Sequence, residues 1–301
     1  EANAKDAIKL VVNNWGEQSD QEFASIELFA DGHFLITTPK AGKLPKRAAN
    51  ATRSANIFKR HGDAPLKTRA TDINGSIDLE NGAYIYGTFT RVKEGVYSLS
   101  NNTMIEIKDK HVSGSTTIIY TNRYGVKIVV DVTVDFDYKP KPVVRQLCRS
   151  WRMDSSELWF TTEDTYIAYA KQWLKLGRVM QEVTITPEGR AMGFDEDDVA
   201  EDKDDYCLRL VFSPCGTYLC FYKDGEVEVG FWEWKDLQNG VMRLWEPFDI
   251  DDDDDDDDVD EYMDVTVRFD GKKMRIYHDF MDEENDVMFR AYGVSTFSAR
   301  Y

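Results

Sequence analysis

The clearest signal along the chain is alternation. From Val126 to Phe136, Ile128, Val130, Val132, Val134 and Phe136 fall on one side, and Asp131, Thr133 and Asp135 on the other. That period of two is the pattern of a half-buried β-strand. Val265 to Phe269 and Met274 to Tyr277 flank Asp270-Gly271, and Asn239-Gly240 follows the Trp232 segment; both dipeptides suit tight turns of positive φ. Short strands about ten residues apart predict an antiparallel meander, closed into a barrel or folded as a sandwich. Two segments depart from period two. Ala4, Ala7, Ile8 and Val11 have helical spacing. Tyr166, Ile167, Ala170, Trp173 and Leu174 form a stripe that predicts a helix over 163–176, with Thr161 and Asp164 as a capping-box-like start and Gly177 as the stop.

The pattern also repeats. Ile26 to Thr37 (IELFADGHFLIT) and Leu210 to Phe221 (LVFSPCGTYLCF) are each an apolar strand, a glycine turn and an apolar strand. Tyr84 to Ser100 matches Glu228 to Trp245, setting Gly87 against Gly230, Gly95 against Gly240 and Leu99 against Leu244, at spacings of 143, 145 and 145 residues. Val11 to Trp15 opens the first half as Leu147 to Trp151 opens the second. Three pieces in register predict two diverged units, 1–140 and 143–301, joined near Tyr138 to Val143. The expected fold class is all-β: two tandem antiparallel barrel units with one or two short helices. The first unit carries a basic insertion, residues 40–82, read as a surface loop, and the second carries the 163–176 helix and acidic loops.

Composition bounds the rest. The 301 residues are 42% hydrophobic and 13% aromatic, enough for a substantial core, and no run approaches the roughly 18 to 20 apolar residues of a spanning helix. Net charge is −18, unevenly spread: basic residues number 19 against 17 acidic before Val143, and 18 against 38 from there on. So acidic a second half repels phosphate backbones, which disfavours nucleic acid as a partner. Locally, Lys40 to Arg69 carries nine basic side chains against Asp63 alone; it either grips an anionic partner or lies on the acidic half of its own chain. Cys148, Cys207, Cys215 and Cys220 include no C-x-x-C pair, and one bridge among the last three is conceivable. His33, His61, His111 and His278 lack metal-ligand spacing; His33, beside a glycine turn, reads as exposed, and His278 with Asp279 as a strand-end pair. No G-x-S-x-G elbow, H-E-x-x-H helix or Walker loop is present, so the sequence gives no reason to expect an enzyme.

Leu147 to Trp151 (L-x-x-x-W), Phe212 to Tyr218 (F-S-P-C-G-T-Y), Gly230 to Trp234 (G-F-W-E-W) and Val267 to Ile276 together resemble the lipocalin-like, calycin-type exported proteins and lipoproteins of gut Bacteroidetes. The likeness covers most of the second half and is fainter over the first. It implies an antiparallel barrel of about eight strands, a periplasmic or cell-surface location, a lipid anchor ahead of residue 1 and a function that is mostly unassigned. A chain beginning at Glu1 without a leader fits a signal segment already removed.

Two candidate sites stand out. Trp232, Trp234 and Trp245 with Tyr218 and Tyr222 either line a pocket for a small apolar or sugar ligand in the second barrel or fill that barrel as core. The acidic run Asp249 to Asp258 offers Asp251, Asp253, Asp255 and Asp257 as oxygen ligands for calcium, or is a solvated loop without the glycine of an EF-hand; Asp195 to Asp205 is a second such run. Two functions follow as expectations: a non-enzymatic interaction module that binds a surface protein, or a carrier of a small apolar or aromatic ligand. A cavity favours the carrier, and solid interiors beside an exposed apolar patch favour the module.

Overall fold

In the computed structural model of the chain, residues 7–13, 22–39, 75–79, 82–108, 114–135, 146–162, 165–200, 202–245, 262–284 and 287–300 are described. They form two closed antiparallel barrels. The first contains β1 (Ile8–Val12), β2 (Ser25–Leu28), β3 (His33–Pro39), β4 (Gly75–Leu79), β5 (Gly82–Lys93), β6 (Val96–Leu99), β7 (Thr103–Ile107), β8 (Gly114–Thr121) and β9 (Lys127–Asp135). Pairing of β1 with β9 and of β3 with β5 closes a circuit of eight strands, with β4 lying against β5 outside it. The second contains β10 (Ser150–Thr162), β11 (Thr165–Lys175), β12 (Arg178–Ile185), helices α1 (Pro187–Ala191) and α2 (Glu196–Val199), then β13 (Cys207–Phe212), β14 (Thr217–Tyr222), β15 (Val227–Asp236), β16 (Val241–Trp245), β17 (Tyr262–Asp270), β18 (Lys273–Glu284) and β19 (Val287–Ala299). Its eight-strand circuit closes where β10 meets β19, and β11 and β12 extend from β10 as an overhang. Two eight-stranded antiparallel barrels with two short helices fit a lipocalin-like, calycin-type fold.

Strand order is the same in both circuits, with β1, β2, β3, β5 and β6 corresponding to β10, β13, β14, β15 and β16. The turns correspond too. Gly32 and Gly216 both have positive φ, which only glycine adopts without strain. Their carbonyls accept equivalent bonds at 2.8 Å, from Phe89 N–H in the first barrel and Trp232 N–H in the second. The carbonyls of Gly95 and Gly240 likewise accept from Ile107 and Val267 N–H, each at 2.8 Å. Alternation then places the cores. Ile26, Phe34, Tyr97, Ile105, Val130, Val132 and Val134 fill the first barrel, and Trp151, Leu210, Phe212, Trp232, Met242, Leu244 and Phe297 the second. Under the overhang a separate cluster joins Phe160, Ile167, Ala170, Phe194 and Phe289, with Phe194 and Phe289 edge to face at 5.4 Å.

Three expectations are corrected. Residues 163–176 do not form a helix: Thr165–Lys175 is strand β11, bonded to β10 and β12. Thr165, Tyr166, Ile167, Tyr169 and Trp173 are β-branched or aromatic and fit a pleated surface. The glycine read as a helix stop is half of a two-residue hairpin turn, Leu176 at φ 51° and Gly177 at φ 76°, between Lys175 and Arg178. The helical spacing from Ala4 to Val11 is likewise overridden, since Ile8–Val12 is β1 between β2 and β9. Nor is 40–82 wholly loop, because Gly75–Leu79 forms β4; residues 40–74 lie outside the described residues, as do Trp15 and 136–145.

The barrels meet through corresponding strands, β2, β3 and β5 against β13, β14 and β15. Phe29, Leu35, Tyr84 and Tyr86 pack on Val211, Leu219, Val227 and Val229. Of these strands, β3, β5, β14 and β15 carry apolar side chains on both faces, one turned to a barrel interior and the other to the seam, while β2 turns Glu27 to the seam and Phe29 follows just past its end. Burial in the seam pushes the Tyr84 hydroxyl well above its ordinary pKa. One carboxylate is buried there: Glu27, 2% exposed, accepts a hydrogen bond from Ser213 Oγ, which in turn accepts from Cys215 N–H at 3.0 Å.

Two outcomes follow. A Cβ on Gly230 would lie 2.0 Å from the buried Tyr218 ring, so Gly230→Ala should cost about 1–3 kcal/mol by overpacking. The loss should shrink in a Tyr218→Leu background, as a double-mutant cycle in urea measures. Glu27→Ala leaves a cavity and removes the carboxylate partner of the Ser213 hydroxyl, so it should cost about 2–3 kcal/mol in the same assay. Glu27→Val, which installs the residue found at the corresponding Val211, should cost clearly less.

A candidate ligand cleft between the barrels

Beside the seam the two barrel walls part and leave a cleft of about 730 Å³. Its first-barrel wall is the outer face of β3 and β5, with His33, Tyr86 and Thr88; its second-barrel wall comprises the start of β13, the end of β14 and the β14–β15 turn, with Arg152, Arg300 and the overhang beside them. Leu174 and Gly177, from β11 and its turn, line it together with the apolar side chains of Leu208, Phe221 and Val227. A register shift between Cys207 and Arg209 turns Leu208 out of the ladder toward this space.

The polar groups of the cleft are mostly cationic. Arg152, Arg209, Lys223 and Arg300 line it, against the single carboxylate Glu226. Arg209 lies over Phe221, its guanidinium carbon 4.1 Å from the ring centroid. Burial holds the Arg209 pKa below its usual value and neighbouring Arg300 adds to this, while Asp31 partly offsets both. His33 is not exposed, as its place by the turn suggests, but 7% accessible. Its ring packs 5.1 Å from Phe221, Nδ1 is 2.8 Å from Asp31 Oδ2, and its backbone N–H donates to Asp31 Oδ1 at 3.1 Å. Arg152 donates through Nη2 to Asp154 Oδ1 at 2.8 Å. The cleft thus offers fixed positive charge, ring faces and aliphatic surface together, the equipment for binding a small molecule.

The aromatic residues singled out from the sequence lie elsewhere. Trp232, Trp234, Tyr218 and Tyr222 share the interior of the second barrel: Trp232 is edge to face with Phe212 at 6.0 Å and with Trp234 at 6.1 Å, and its Nε1 donates to Ser213 O at 2.9 Å. Tyr222, whose hydroxyl donates to Glu228, is the one of the five that also borders the cleft. Trp245 points the other way, against Phe231 at 5.8 Å, because Phe231 and Trp245 are cross-strand partners on the outer face. Asp251, Asp253, Asp255 and Asp257 lie outside the described residues. In the second acidic run, Asp195 caps α2 in a capping box with Asp198. Among the described residues no group of three or more His, Cys, Asp or Glu is arranged to hold a metal.

His278 is not at a strand end; it sits within β18, 2% exposed and stacked on Phe280 at 6.3 Å, while Asp279 pairs with Arg290. None of the four cysteines is in a disulfide, and the Cys220 thiol donates to Cys207 Sγ at 2.8 Å inside the barrel. Burial, and then Cys207, push the Cys220 thiol pKa up. The cleft arginines escaped the sequence reading because they come from positions as distant as Arg152 and Arg300. The available signal was Arg209 itself, a cation inside the apolar strand Cys207–Phe212.

No family model and no curated protein matches this chain. Among solved structures, a protein of unknown function from the DUF3598 family of Nostoc punctiforme is similar at 10% identity and a TM-score of 0.13, over 98% of this chain and 94% of that one. A likeness so slight adds nothing to the fold read from the strands, and none of these results points to gut Bacteroidetes. Among the described residues no helix is long and apolar enough to cross a membrane.

Thiol chemistry offers a check on this arrangement. Cys148, Cys207 and Cys220 are buried and Cys215 half-buried, so an aromatic disulfide reagent should titrate one thiol quickly in the native protein and the other three only in denaturant. Two or more fast thiols would contradict the packing described.

Proposed function

We propose that the chain is a non-enzymatic binding protein that holds a small molecule between its barrels instead of inside one of them. The observation carrying this reading is the cleft of about 730 Å³, within the usual size range of small-molecule sites and walled by both barrels. The interior alternative is less well supported: the described core of the second barrel is occupied by its own Trp232, Tyr218, Phe212 and Phe297. An interaction module for a surface protein has less in its favour, because the apolar outer faces of β3 and β5 are already covered by β13 to β15.

The uncharged dye N-phenyl-1-naphthylamine tests the reading. It should bind saturably at one site per chain with a rise in fluorescence. Leu208→Trp and Leu174→Trp, which fill the cleft, should each weaken binding about tenfold in protein that still shows the native cooperative unfolding transition. Absence of saturable binding, or binding indifferent to both substitutions, would remove the proposal.

A further inference from the structure

We infer that the ligand of the cleft is an amphipathic organic anion, its anionic head seated among Arg209, Arg300 and Arg152 and its apolar body lying on Leu208 and Leu174. This rests on the cleft being the working site and goes further by naming the chemistry that the site selects.

The argument begins with an imbalance. From Val143 onward acidic residues outnumber basic ones 38 to 18, yet the cleft presents four cations to one carboxylate. Local concentration of one sign against the trend of the chain raises the anion concentration at that spot and turns cations away. The cations are also held ready. Arg209 is held over Phe221, and the carboxylate that acts on it, Asp31, is already engaged by the His33 ring. Arg152 is steadied by Asp154, itself held by Ser298 Oγ. Arg300 enters from the end of β19, with its backbone N–H donating to Ser150 O at 3.0 Å. Placing Arg209 and Arg300 within electrostatic reach of each other costs repulsion that an anion between them would reverse. Guanidinium forks suit carboxylate, sulfonate or phosphate oxygens in bidentate geometry, which a lysine cluster would not provide.

An inorganic anion would leave the rest of the site unused. Leu174, Leu208 and Val227 line the same space as the cations, so a ligand that fills it must bury apolar surface as well as satisfy charge.

The experiment compares two probes of similar aromatic body: 8-anilinonaphthalene-1-sulfonate, which is anionic, and N-phenyl-1-naphthylamine, which is not. The wild-type chain should bind the sulfonate about tenfold more tightly or better, and this preference should fall as salt rises. Arg300→Gln and Arg209→Gln should each abolish most of the preference, read as the ratio of the two affinities within each variant, and unchanged far-ultraviolet circular dichroism shows that the variants are folded. Dodecanoate should displace the sulfonate at micromolar concentration, whereas inorganic phosphate should not displace it below the millimolar range. Equal affinity for both dyes, indifferent to either arginine substitution, would overturn the anionic head while the cleft reading stands. Displacement by phosphate as effective as by dodecanoate would overturn the amphipathic assignment. Failure of both dyes to bind would sink the cleft reading itself.

Discussion

The architecture turns on strands that are apolar on both faces. In a solitary barrel the outer face meets water, and alternation is apolar inward and polar outward. Here β3, β5, β14 and β15 break that rule: Leu35 turns out while Phe34 and Ile36 turn in, and Leu219 turns out while Tyr218 and Cys220 turn in. Leaving Phe29, Leu35, Tyr84 and Tyr86 in water would forfeit on the order of 1.5–3 kcal/mol for each large side chain, so the barrels are held face to face. Their curvature limits how far the contact extends. Where the walls diverge the cleft opens, and its location is thus a consequence of the seam.

The second barrel differs from the first chiefly in its overhang. β11 and β12 hang from the half of β10 that β13 does not reach, and α1 and α2 close the cluster of Phe160, Ile167 and Phe194 beneath them. The overhang brings Leu174 and Gly177 across to the cleft. A pair of barrels with the shared strand order alone would have a seam and an open notch. The added strands contribute Leu174 and Gly177 to its lining, and so the asymmetric element is part of what equips the site.

How much of this the sequence disclosed depended on the range of the signal. Paired glycines and period-two alternation report local backbone requirements, and they located the Gly32 and Gly216 turns and the inward residues of β9. The stripe from Tyr166 to Leu174 misled because a short apolar run fits either period, and the ladder partners that decided the matter, β10 and β12, are supplied by tertiary pairing. His33 looked exposed since the sequence shows the turn beside it but not Phe221 from the other barrel. Trp245 was grouped with Trp232 on composition, although strand pairing places it with Phe231 on the opposite face. The cleft was beyond reach for the same reason on a larger scale: its cations converge only after the chain has passed twice around a barrel.

Glu27 gives the seam an address. Its corresponding position in the second barrel is Val211, and its partner Ser213 corresponds to Phe29 in the first, so the matching sheet faces differ in one complementary polar pair. If a first barrel docked in the same geometry on another first barrel, the carboxylate would be stranded against a phenyl ring, at the cost of an unsatisfied buried charge. Two second barrels meeting in this way would set a lone hydroxyl against valine. Heterotypic docking within one chain is therefore favoured over self-recognition between chains, and a surface greasy enough to aggregate is steered into a single intramolecular embrace.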